Sequence, residues 1–194
     1  GGSAGTMASN SPAGIINFIS KTGAVEGGSV ATTFGVDYNT FRTDFEYGSP
    51  INKTMNFHVG GFFRQGEGTR TAGYTANYGG QVKANLTKTF DNGYARVYYK
   101  YLNDRTAAYL PMPVAVSGTN AKPVYESVPG FDAHYGTPHS VFLNQSLGLG
   151  PDGALRRAQV SDGMHPVSQS VGAEFGIDLA DGWKLENRGR MSFN

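Results

Sequence analysis

Residues 81–101 decide the fold class, and they read QVKANLTKTFDNGYARVYYKY. Apolar and polar residues alternate on both sides of the Asn-Gly dipeptide at 92–93, which favours a tight turn between two antiparallel strands. Val82 and Leu86 share one face of the first strand, while Lys83 lies on the other face. The segment therefore predicts a β-hairpin with one apolar face and one polar face.

The same period of two recurs along the chain in seven runs of about ten residues each, a length that lets a tilted strand cross a bilayer. The runs cover residues 30–38, 41–48, 55–64, 81–90, 95–101, 171–179 and 183–193. Phe, Tyr, Val and Thr dominate one face of these runs, and the other face mixes Gly with charges of both signs. This balance favours an all-β, up-and-down transmembrane β-barrel segment over a two-sheet sandwich, which is the alternative.

The connections between the runs also follow a rule. Tight turns are expected at 50–53, 91–93 and 181–182, with the Asn-Gly and Asp-Gly pairs supplying positive φ angles. They alternate with longer connections at 66–77 and 105–169, and the short connection at 39–40 is the exception. Because the 105–169 stretch holds seven of the nine prolines, it is predicted to contain no sheet and to form a large loop, and loops of this length are usually functional or disordered.

Composition excludes several classes of function. A formal net charge of +1 gives no basic field for nucleic acid, and the absence of cysteine removes disulfide scaffolds and thiolate metal sites. Residues 148–153 match the dinucleotide fingerprint formally, but no βαβ pattern surrounds them, so loop glycines are expected. The histidines show no metal spacing, and no catalytic constellation is visible. We therefore predict no enzymatic activity, no cofactor and no metal.

The segment before the first run resembles the end of the plug domain in TonB-dependent outer-membrane receptors. The family pattern Gly-Gly-(Val/Ile)-Ile-Asn-x-x-(Thr/Ser)-Lys is matched by Gly14, Ile16, Asn17 and Lys21, with Ala13 in place of the first glycine. Residues 47–52 are similar to the Gly-Pro-Leu-Asn stretch in the family's first periplasmic turn.

This resemblance implies that the chain is an internal fragment, with the end of the plug at 1–25 and the first part of the barrel at 26–194. The whole barrel would have about 22 strands. The implied function is energy-coupled uptake of a scarce nutrient (a siderophore, cobalamin or an oligosaccharide) across the bacterial outer membrane. The expected partners are the TonB system, through the missing N-terminal region, together with outer-membrane lipid and the small ligand. The alternatives are a passive porin, or another outer-membrane barrel such as an adhesin or an enzyme.

The same topology places the 105–169 loop outside the cell, where aromatic side chains with polar tips could stack on a substrate. The candidate binding residues are Tyr109, Tyr125, Phe131, His134, Tyr135 and His139. The alternative for these residues is a surface loop that packs on itself. The charges on the polar face of the strands are expected to pair with one another or with the plug rather than with substrate.

Overall fold

A computed structural model describes residues 19–107, 109, 111–138 and 145–194 of the chain. Within these residues the fold is all-β. The strands are β1 (Gly27–Phe34), β2 (Thr40–Asn52), β3 (Met55–Gly66), β4 (Asn77–Phe90), β5 (Gly93–Arg105), β6 (Ala115–Thr119), β7 (Lys122–Glu126), β8 (Gln145–Leu149), β9 (Leu155–Gln159), β10 (Val167–Asp178) and β11 (Lys184–Phe193).

Seven of these strands form one antiparallel sheet in the order β1-β2-β3-β4-β5-β10-β11. Each of the seven runs with a period of two contributes one strand, so the predicted up-and-down order is confirmed. The chain leaves the sheet after β5 and returns to pair β10 with β5, which makes the long stretch an insertion between two neighbouring strands. Tight turns lie at one end of the strands and the longer connections lie at the opposite end.

The turn at one predicted Asp-Gly pair has the expected backbone, but the turn at the Asn-Gly pair does not. Asp181 and Gly182 adopt φ angles of 60° and 76°. Among the described residues with positive φ, neither Asn92 nor Gly93 is found, so that part of the prediction was wrong. The Asn92 carbonyl instead accepts a hydrogen bond from the backbone N–H of Asp178, at 2.7 Å, which holds the turn against β10.

The predicted turn at 50–53 is displaced toward its end. β2 continues through Pro50 to Asn52, and its register with β3 shifts between these two residues, which accommodates the proline. The Asn52 side-chain oxygen accepts a hydrogen bond from the Thr54 backbone N–H at 2.9 Å. The turn is therefore an Asx-type turn centred on Lys53 and Thr54.

The prediction that the 105–169 stretch contains no sheet was wrong. It carries two small hairpins, β6–β7 and β8–β9, each a separate two-stranded sheet. Pro123 fits in β7 because that strand has a partner on one side only, so the missing N–H interrupts no second ladder. Gly150 and Gly153 shape the β8–β9 turn, as their backbone hydrogen bond of 2.9 Å shows, and no βαβ unit surrounds them.

Hydrophobic burial is slight in the sheet. Among the described residues the buried hydrophobic side chains are Ala72 and Ala76, and both lie in the loop between β3 and β4. Large apolar side chains on one face of the sheet are exposed instead; these include Val30, Phe34, Phe45, Val97, Val171, Met191 and Phe193. We call this the apolar face. In the described part of the chain no helix has the length and apolar character needed to cross a membrane.

Candidate functional site: the polar face and the loop cluster

The opposite face of the sheet, the polar face, carries a half-open cavity of about 860 Å³. Its wall is built by alternate residues of β2, β3, β4, β5, β10 and β11, because side chains two apart in a strand share one face. Residues 19–21 close one side of the cavity. Charged and aromatic side chains from six strands thus converge on one space.

A ladder of hydrogen bonds and ion pairs crosses four strands on this face. Arg96 of β5 lies directly opposite Glu174 of β10, and Glu174 lies opposite Arg188 of β11. The Arg96 guanidinium contacts the Glu174 carboxylate, and its Nε donates to the Thr87 hydroxyl at 2.8 Å. The Arg188 Nε lies 3.6 Å from the second Glu174 oxygen. These contacts agree with the expectation that charges on the polar face pair with one another.

A second pair forms across a glycine. Arg64 of β3 and Asp104 of β5 lie on strands that are not neighbours, and Gly79 of β4 is the register partner of both. Since Gly79 has no side chain, the guanidinium passes over it and donates two hydrogen bonds to the carboxylate, at 2.9 and 2.6 Å. The pair is half-buried. Its bidentate geometry links β3, β4 and β5 at the ends of these strands that carry the longer connections.

Residues 19–25, which we call the anchor segment, lie against the polar face before the chain enters β1. The Lys21 ammonium contacts the Glu46 carboxylate, which also lies 3.0 Å from His58 Nε2. The Asn85 side chain donates to the Lys21 carbonyl at 2.9 Å, and Asn56 donates to the Thr22 carbonyl at 2.6 Å. A side chain at Gly23 would overlap the backbone of β3, so only glycine permits this close approach.

The β3–β4 loop and residues 127–138 of the long stretch contact each other at the end of the strands that carries the longer connections. We call this assembly the loop cluster. Arg70 donates to the carbonyls of Ala133 and Gly136, at 3.2 and 2.8 Å. The Thr71 backbone N–H donates to the Tyr135 carbonyl at 2.8 Å. The Thr137 hydroxyl donates to the Thr71 carbonyl at 3.3 Å. Two loops that are more than 60 residues apart in sequence are therefore held together by one guanidinium and two hydrogen bonds to Thr71.

The structure brings several predicted binding residues to this cluster. The Tyr135 hydroxyl donates to Asp37 in the β1–β2 connection at 2.8 Å, which raises the pKa of Tyr135. The His134 ring lies beside the Tyr135 ring, with centroids 6.4 Å apart. Phe131 packs close to Gly136. This part of the loop packs on itself and on its neighbours, as the alternative interpretation expected.

Tyr109 takes a different position. It lines a smaller cavity of about 230 Å³ at the ends of β2, β3 and β4, and burial raises the pKa of its hydroxyl. The Arg70 guanidinium lies 6.0 Å from the centre of its ring, at the limit for a cation–π contact. Its hydroxyl is buried without a hydrogen-bond partner. Tyr109 is thus joined to the loop cluster through Arg70.

The remaining predicted residues are not gathered with this group. Tyr125 lies in the β6–β7 hairpin with 66% of its surface exposed, and it has no described aromatic neighbour. Of the residues in the plug pattern, Lys21 lies in the anchor segment and contacts Glu46 of β2. His139, Gly14, Ile16 and Asn17 lie outside the described residues.

Sequence reasoning did not single out Arg70, Lys83 or Lys100 as site residues. Lys83 and Lys100 are direct register partners on the polar face. The turn predicted at 91–93 did not indicate this pairing, because a two-residue turn fixes the register of its strands and the turn residues are 91 and 92. Nothing in the sequence near Arg70 indicated its partners, which lie 63 and 66 residues away.

The described residues include no group of three or more His, Asp or Glu side chains that could hold a metal ion. Comparison of the chain with protein-family models, with curated proteins and with solved structures found no match.

Proposed function

We propose that this chain is part of a plugged transmembrane β-barrel that takes up a scarce nutrient across the bacterial outer membrane, with energy supplied through a TonB-type system. The seven-stranded sheet would form about a third of a barrel of about 22 strands. In this proposal the polar face lines the lumen, the apolar face meets lipid, and the longer connections lie outside the cell.

The observation that carries the proposal is the inverted distribution of polar and apolar side chains. Charged residues line a half-open cavity on one face, while Phe45 and Val97, which are 36% and 54% exposed, lie on the other face. In water such a face would expose a large contiguous apolar patch, which monomeric proteins rarely do. In a bilayer the same face is favourable, because a barrel is apolar outside and polar inside.

The anchor segment supports the plug element of the proposal. A plug connected to the first barrel strand has to leave from the lumen side. Residues 21 and 22 are held by Glu46, Asn56 and Asn85 on the polar face, so the chain approaches β1 from the side of the polar face. A porin without a plug needs no such contacts.

Membrane orientation can be tested with single-cysteine variants of the full-length protein carrying a fluorescent label. We expect lipid-soluble quenchers to act on Phe45→Cys and to spare Asp44→Cys, because neighbouring residues in a strand face opposite sides. Quenching of the label at position 44 with protection at position 45 would contradict the assignment of the two faces.

Energy coupling separates active uptake from passive diffusion. Depletion of nutrients from a defined medium can be compared among cells that lack this protein, cells that lack the energy-transducing partner, and wild-type cells. We expect the same nutrient to remain in the medium of both deletion strains. A nutrient that remains only when this protein is absent, and is taken up without the energy-transducing partner, would favour the passive porin.

A further inference from the structure

The carboxylates that line the cavity are already bonded to cations. Asp44 accepts two hydrogen bonds from Arg42, at 2.7 and 2.6 Å, Glu46 binds Lys21, and Glu174 binds Arg96. The cavity is lined by seven Lys and Arg side chains but by only these three carboxylates. The chain as a whole carries a net charge of +1, so its positive excess is concentrated on this face.

Among the described residues, no carboxylate lies within ion-pair distance of Lys83, Lys100 or Arg190, all three of which line the cavity. Lys83 and Lys100 are also directly opposite each other on β4 and β5. Like charges at such positions destabilise a sheet. The cavity therefore holds an unfavourable lysine pair, whereas Lys21, Arg42, Arg96 and Arg188 in the same cavity lie within 4 Å of a carboxylate.

The space around the two lysines is open. The register partner of Lys83 on its other side is Gly60, and that of Lys100 is Ser170. Neither residue offers a charge or a bulky side chain to the ammonium groups. Two ammonium groups on adjacent strands, facing a cavity of about 860 Å³, can donate several hydrogen bonds to one anion.

We propose that Lys83 and Lys100 bind an anionic group, a carboxylate or a phosphate, of the molecule that this protein transports. Arg190 of β11 adds positive charge to the same cavity. It is the register partner of Gly172 in β10, which in turn lies opposite Tyr98 in β5. The inference rests on the proposed uptake function and assigns that function an anionic class of substrate. A neutral oligosaccharide could accept hydrogen bonds from the paired lysines but would gain no charge–charge attraction from them.

The test uses the full-length protein in detergent micelles at low ionic strength, with pyrophosphate and succinate as separate probes in equilibrium dialysis. The two probes distinguish a phosphate site from a carboxylate site. We expect the double variant Lys83→Gln/Lys100→Gln to raise the Kd of the preferred probe at least about tenfold, since two charge-assisted bonds are lost. Lys53→Gln, in the exposed β2–β3 turn, is the matched control and is expected to leave the Kd unchanged.

A charge-reversal variant distinguishes loss of the anion site from misfolding of the protein. In Lys83→Glu the new carboxylate faces Lys100, and opposite charges at such a pair stabilise a sheet. We expect this variant to melt at or above the temperature of the wild-type protein and yet to lose anion binding. A variant that is destabilised by removing either lysine would instead mean that another part of the protein supplies a carboxylate partner, and would overturn the inference.

The inference also fails if the wild-type protein binds neither probe, or if Lys53→Gln weakens binding as much as the double variant does. These outcomes leave the uptake function untouched, because nutrient depletion and its dependence on energy are measured in cells. Conversely, anion binding by a protein whose uptake needs no energy source would overturn the proposed function and keep the anion site.

Discussion

At the scale of single residues, the ion pair of Arg64 and Asp104 is expected to contribute more than the other bidentate or exposed pairs. Its side chains are only 27% and 14% exposed, so Asp104→Asn leaves a half-buried guanidinium without its charge partner. We expect the free energy of unfolding of the full-length protein to fall by about 1–3 kcal/mol. Urea denaturation in a lipid or detergent system measures the change.

The matched control is Asp152→Asn, which removes the partner of Arg156. That pair lies in the β8–β9 hairpin with side chains 65% and 58% exposed. Solvent screens it, and a loss below about 1 kcal/mol is expected. Equal losses for the two variants would mean that crossing over Gly79 adds nothing to the strength of the first pair.

At the scale of elements, Arg70 is expected to hold the loop cluster together. Arg70→Ala removes two hydrogen bonds to the carbonyls of Ala133 and Gly136, and we expect cleavage of residues 127–138 by a broad-specificity protease to accelerate several-fold. Arg157→Ala is the control, because Arg157 is an exposed arginine in β9 that makes no described side-chain contact. Unchanged cleavage in Arg70→Ala would show that the hydrogen bonds of the Thr71 backbone to Tyr135 and Thr137 suffice.

The same segment is expected to open in acid. The Asp132 carboxylate accepts hydrogen bonds from the backbone N–H groups of His134 and Tyr135, which lowers its pKa. A carboxyl group with a lowered pKa stabilises the fold above the ordinary aspartate pKa of about 3.9, and this contribution is lost as the pH falls through the lower value. Protection from pepsin should therefore hold at pH 5 and decline below about pH 4. Asp132→Asn, whose amide oxygen still accepts hydrogen bonds, should show a weaker dependence on pH.

At the scale of the whole molecule, the isolated 194-residue chain is expected to lack a stable core in water. Its sheet buries little apolar surface, and the outer edges of β1 and β11 have no strand partner among the described residues. We expect the chain to self-associate in sedimentation experiments and to show no cooperative thermal transition by circular dichroism. A monomer with a sharp melting transition would favour the sandwich interpretation.

The sheet could be predicted from the sequence because its strands are long and regular. Alternation over residues 81–101 predicted two strands and the turn between them, but not their register. An Asn-Gly turn at 92–93 would have set Lys83 opposite Leu102, whereas the turn occupies residues 91–92 and sets Lys83 opposite Lys100. The β6–β7 hairpin was missed because its five-residue strands are almost entirely exposed and have no apolar face to produce a pattern, and because Pro123 argued against a strand. Arg70 could not be predicted, because its partners are backbone carbonyls that tertiary folding brings near.

The anchor segment also has a mechanical consequence. Tension applied to the chain on the N-terminal side of residue 21 would first load the Lys21–Glu46 ion pair and the two hydrogen bonds from Asn85 and Asn56. These contacts lead into β2, β3 and β4, which are paired on both sides. The load would therefore reach three inner strands before it reached β1, whose outer edge has no strand partner among the described residues. A pull strong enough to move the preceding chain could break a few side-chain contacts and leave the strand ladder intact.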